Sequence, residues 1–168
     1  SGAKECQYDI REHMPPKQAR KIPDRDNPNP FYEHCYPGLP MDESHGPYPL
    51  MVFVHGTAGF RTQSLHQVIH WASRGFIVAS ADYPGIQLYD MLDKVDHPLE
   101  PGPKTDQAGD TRLILAELRK LEDERLGFLK GHVDLSKVAV SGHSAGAEAI
   151  SRLGDEANIL IPMAGAGT

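Results

Sequence analysis

Four short apolar runs divide this chain, and they limit its fold more than any other feature. Residues 49–54, 76–80, 137–141 and 159–163 lack the in-and-out alternation of a strand with one wet face, so each reads as a strand covered on both sides. Between them, residues 62–74 set Leu65, Val68, Ile69 and Ala72 at helical spacing ahead of Gly75, a natural helix stop. Residues 106–126 carry Ala108, Leu115, Leu118 and Leu121 in helical register among charges, and 145–153 form a short helix of small residues. Strand, helix, strand, helix, strand, helix, strand calls for an α/β fold: a doubly wound, mostly parallel sheet with right-handed crossovers. The stretch 83–104 reads as a long loop. A chain of 168 residues supports one domain with its own core. We divide it into a proline-rich arm, 1–46, and a body, 47–168.

Most of the fourteen prolines fall between Met14 and Pro49, which excludes long helices and central strands there. The ordered parts expected in the arm are short extended pieces at 6–10 and 31–36, entering a sheet from one edge. Both cysteines, Cys6 and Cys35, lie in this arm. A bridge would tie it down by roughly 3–4 kcal/mol through loop-closure entropy, and would fit a secreted or periplasmic protein. Two unrelated thiols in a reducing cytoplasm are the alternative. The first residues, SGAKECQYD, lack a charged start followed by an apolar stretch, so the chain reads as cytosolic or as already relieved of a leader.

A net charge of −6 disfavours a sequence-independent grip on nucleic acid or an anionic membrane. The apolar runs stop far short of the ~20 residues needed for a membrane span. Of nine histidines only His66 and His70 have the i, i+4 spacing of a helical metal pair. No glutamate follows His66 as the zinc-protease pattern requires, so no metal is expected. No cofactor is expected either: the glycines near 165–167 follow a strand with no helix after them. The charges between 110 and 125 read as a solvated helix face.

The chemistry-bearing stretch is VAVSGHSAGAEAI, in which Gly142-His143-Ser144-Ala145-Gly146 satisfies G-x-S-x-G between a strand and a helix. A serine at so sharp a turn stands clear of the sheet, and the flanking glycines let strand and helix approach. The helix starting at Ala145 directs free N–H groups to the place where negative charge develops in acyl transfer. A second oxyanion donor is expected from His55-Gly56-Thr57-Ala58-Gly59-Phe60. There Gly56 lets the chain turn and the Thr57 amide joins that of Ala145. His55 reads as a packed, hydrogen-bonded histidine beneath this loop rather than a base, and His143 as a pocket wall.

PLMVFVHGTAGFRTQS, RGFIVASADYPG and VAVSGHSAGAEAI together resemble an α/β-hydrolase-fold serine hydrolase, with the spacing of platelet-activating-factor acetylhydrolases, dienelactone hydrolases and cutinase-type polyester hydrolases. The resemblance spans about 47–163. It implies Ser144 as nucleophile, Thr57 and Ala145 as oxyanion donors, Ala58 and Phe60 as one wall of the acyl pocket, and Tyr83 lining the same cleft. It implies a carboxylic ester, small or polymeric, as substrate. The family order is Ser, then Asp or Glu, then His, and here no histidine follows His143 and no acid follows Glu156. His97 as the base would need a new arrangement. The hydrolase fold is therefore expected to be incomplete at its C-terminal side. A second polypeptide, cleaved from the same precursor after Thr168, is expected to supply the triad partners and cover the strand at 159–163, a bare apolar edge otherwise. A catalytically silent binding protein of this fold and an acyltransferase are the alternatives.

Overall fold

The computed structural model describes residues 4–27, 31–32, 34–121 and 124–165. Its centre is a sheet of β3 (Tyr48–Val54), β4 (Ile77–Ser80), β5 (Val133–His143) and β6 (Ile159–Met163), in the order β4-β3-β5-β6. All three pairings are parallel. The fold is α/β, as the apolar runs require. β5 is longer than the expected strand because it continues alongside β3 past an irregularity between Pro49 and Leu50.

Alternate residues of β3 point to opposite faces, and both faces are covered. Leu50, Val52 and Val54 form one core with Val138 and Val140 of β5, Leu115 and Leu118 of α4 (Gln107–Lys120), and Ile150 of α5 (Ala145–Ile150). On the other face Phe53 meets Trp71 of α2 (Leu65–Ser73), ring centroids 6.3 Å apart. Leu50, Val52, Phe53 and Val54 have no exposed surface, which is why this segment carries no polar residue.

Two helical regions differ most from expectation. The stretch 83–104 contains a helix, α3 (Leu88–Asp96), so it is not one long loop. The helix starting near Asp106 ends at Lys120 rather than 126. Leu121 turns left-handed at φ 46°, and a 3₁₀ turn, Glu124–Leu129, follows. Asp106 caps α4, its carboxylate accepting from the Gly109 amide at 3.0 Å.

In the arm, β1 (Cys6–Gln7) and β2 (Phe31–Tyr32) pair antiparallel with each other and do not enter the main sheet. Cys6 and Cys35 are bridged, and the Cys6 amide donates to the Cys35 carbonyl at 2.7 Å. A short helix, α1 (Pro16–Ala19), fastens the arm to the body. Lys17 Nζ and Gln18 Nε2 both reach the Asp96 carboxylate at 2.9 Å.

Candidate active site

From β3 the chain runs to β4 on one side of it and later returns to β5 on the other. The strand order therefore reverses between β3 and β5, and the crevice beyond their carboxyl ends is where open α/β sheets receive ligands. Two turns meet there, 55–60 after β3 and 143–145 after β5.

Ser144 occupies the second turn at φ 53°, ψ −117°, a conformation L-residues avoid and which surrounding structure must hold. Its amide donates to the Met163 carbonyl at 2.9 Å, and its carbonyl accepts from the Ala147 amide at 2.9 Å. A Cβ on Gly142 would overlap the Gly146 carbonyl, and one on Gly146 would overlap the carbonyls of Val54 and His55. Both motif glycines are thus needed for β5 and β3 to meet the first turn of α5. Ser144, His143 and Ala145 are partly exposed.

The first turn lies against the second. A Cβ on Gly56 would come within 3.0 Å of Ser144 Cβ and of the His143 carbonyl, and 3.2 Å of His143 Nδ1. Residues 56–59 form a tight turn in which the Gly59 amide donates to the Gly56 carbonyl at 3.0 Å and Ala58 takes a positive φ of 55°, as position i+2 of a type II turn demands. The Ala58 amide donates to the Ile86 carbonyl at 2.8 Å. Thr57 and Ala58 are exposed and Phe60 is half-buried.

Residues 31–86 match the family described as platelet-activating factor acetylhydrolase, isoform II. The match takes in β3, the 55–60 turn, α2 and β4, and stops before Ser144. It points to a hydrolase of lipase or esterase type at that general level. Among curated proteins none matches the sequence.

The other expected residues fall as follows. His55 is fully buried beneath the turn, and burial pushes its imidazole below the usual histidine range. Tyr83 is the correction: it has no exposed surface, packs edge-on against His55 with centroids 5.2 Å apart, and bonds Thr111 Oγ1 at 3.1 Å. It lies under the cleft rather than on its wall. His97 ends α3 and pairs with Asp93 at 3.2 Å, and His45 pairs with Asp42 at 2.8 Å. Among the described residues no group of three His, Cys, Asp or Glu side chains converges as a metal set, and no helix is long and apolar enough to cross a membrane.

Three participants escape a reading by motif. His13 of the arm stacks on Phe60, centroids 4.5 Å apart and planes 23° off parallel, and its Nε2 bonds Thr62 Oγ1 at 2.9 Å. Gln107 and Thr111 are buried under the 55–60 turn. A signal for these two is present: they sit four apart on the stripe of α4 that continues through Leu115 and Leu118, polar residues where the period calls for core. For His13 no local pattern exists.

Proposed function

We propose that the chain carries the nucleophile and the oxyanion donors of a serine carboxylic ester hydrolase. The observation that carries this reading is the left-handed Ser144 at the end of β5 with the Gly56–Thr57 turn packed against its Cβ. Ser144 Oγ attacks the ester carbonyl carbon while its proton passes to a base, and the oxyanion accepts hydrogen bonds from the Thr57 and Ala145 amides. The ester C–O bond then breaks and the alcohol leaves with the proton from the base. Water adds to the acyl-enzyme, and the carboxylic acid departs as Ser144 regains its proton. The match to an acetylhydrolase family over 31–86 supports an ester over an amide. Ala58, Phe60 and His143 border the acyl side in this reading. A disulfide-bridged arm fits a secreted or periplasmic protein.

The base is a residue other than His13, His45, His55 and His97. Each of the four is engaged elsewhere. Fluorophosphonate labelling tests the centre. Ser144 is expected to be labelled in the native protein and Ser144→Ala to abolish labelling, whereas an unlabelled native protein would leave a silent binding protein.

A further inference from the structure

Under the 55–60 turn lies a closed circuit of buried hydrogen bonds. The backbone amide of Tyr83 donates to His55 Nε2 at 3.1 Å. An amide can only donate, so Nε2 is a bare lone pair and the imidazole proton sits on Nδ1, which donates to the Gly56 carbonyl at 2.8 Å. The Thr111 hydroxyl spends its single proton on the Gln107 carbonyl at 2.7 Å. The Tyr83 hydroxyl is therefore the donor in its 3.1 Å bond to Thr111 Oγ1. Gln107 Nε2 closes the path on the His55 carbonyl at 2.7 Å. His55, Tyr83 and Thr111 have no exposed surface, and Gln107 is 5% exposed.

The circuit ends on one peptide unit. In a trans peptide the C=O and N–H point in opposite directions. The Gly56 oxygen is held inward by His55 Nδ1–H and the Gly59 amide, which turns the Thr57 N–H the opposite way. The amides of Ala58 and Gly59 are used at Ile86 and Gly56. Of the three consecutive amides only that of Thr57 is without a partner among the described residues.

We propose that Tyr83, Thr111 and Gln107 are positioning residues for ester cleavage at Ser144, acting through His55 to fix the Gly56–Thr57 peptide so that the Thr57 amide meets the oxyanion. The proposal rests on the reading of Ser144 and Thr57 given above and extends it to residues that touch no substrate. Apolar side chains of the same shape would fill this part of the core at little cost to folding, since exchanging both partners of a buried hydrogen bond is nearly neutral. A fully satisfied polar network, by contrast, fixes one geometry, and this one sits directly under the turn.

The test compares Thr111→Val, which keeps the shape and removes the hydroxyl, with Thr111→Ser, which keeps the hydroxyl, and with Tyr83→Phe, all in the native protein. Each is assayed well below its own melting temperature for p-nitrophenyl acetate hydrolysis, fluorophosphonate labelling of Ser144, and inhibition by a trifluoromethyl ketone, which forms an oxyanion adduct. Loosening a donor costs less than the hundredfold or more of deleting one. Thr111→Val and Tyr83→Phe are expected to lower kcat on the order of tenfold with KM within about twofold, and to weaken the ketone by the same factor. Thr111→Ser is expected to restore both. Unchanged kcat in Thr111→Val, or equal losses in Val and Ser variants, would overturn the inference while Ser144 still labels. A wild type that neither labels nor hydrolyses would overturn the reading of Ser144 and this proposal with it.

Discussion

A missing Cβ does as much at this crevice as any side chain. Gly146→Ala introduces a methyl group where the carbonyls of Val54 and His55 already stand, and backbone cannot step aside as a flexible side chain would. Urea unfolding is expected to show a loss of about 3 kcal/mol, the upper range for overpacking; a loss under about 1 kcal/mol would mean that strand and helix are not so close. Titration belongs to this scale too. Burial holds both His13 and His55 below the ordinary histidine value of 6.5, with Arg61 also disfavouring the charged form of His13, and Asp82 and Glu12 opposing it. Below 6.5 the unfolded chain therefore binds more protons than the folded one. Stability is full above that pH and falls as pH drops toward the folded-state values. Denaturation midpoints at pH 7.5, 6.5 and 5.5 check this, and a flat series would show these imidazoles to be solvated. Asp110, raised by burial and then by Asp106, works in the opposite direction. Ser144, Gly142 and Gly146 were legible as a motif because their spacing is local. Tyr83 was not legible, since its aromatic ring with one hydroxyl suits a cleft wall and a buried network equally well, and the partner Thr111 lies 28 residues away.

Elements built on one continuous apolar run could be read directly. The limits of β6 coincide with the expected strand and β3 begins one residue earlier. β3 is buried from Leu50 to Val54, as expected, but β6 is not covered on both sides: Ile159 and Pro162 are exposed at the sheet edge, so its apolar run marks the strand without marking burial. α3 was hidden by the prolines and glycines after it and by a polar face carrying Asp90, Asp93, Lys94 and Asp96. Its apolar residues Tyr89, Met91 and Val95 remain exposed, so no buried stripe announced it. The end of α4 was hidden because Leu121 continues the apolar period while its backbone has already left the helix. It still packs on the core, which shows that periodicity reports which face is covered and not where a helix stops. Leu115, 1% exposed between α4 and the sheet, is the element's central anchor. Leu115→Ala is expected to cost about 2–5 kcal/mol, measured by thermal or urea unfolding; a cost under 1 kcal/mol would show that α4 is held by its caps instead.

At the scale of the whole molecule, the arm is fastened at both the bridge and the body. Removing Cys6 and Cys35 together by serine is expected to lower stability by roughly 3–4 kcal/mol, with His13 no longer held on Phe60. Proteolysis within the arm, compared with the bridged protein, reads that release. The order β4-β3-β5-β6 has a further consequence for how the chain comes into being. β3 pairs with β4 across a short separation but with β5 only through partners such as Val52 with Val140, far along the chain. A nascent chain emerging residue by residue thus presents its most water-averse segment with one naked flank until β5 leaves the ribosome. Such distant pairing slows folding, and polypeptides released before that point are expected to clump rather than fold.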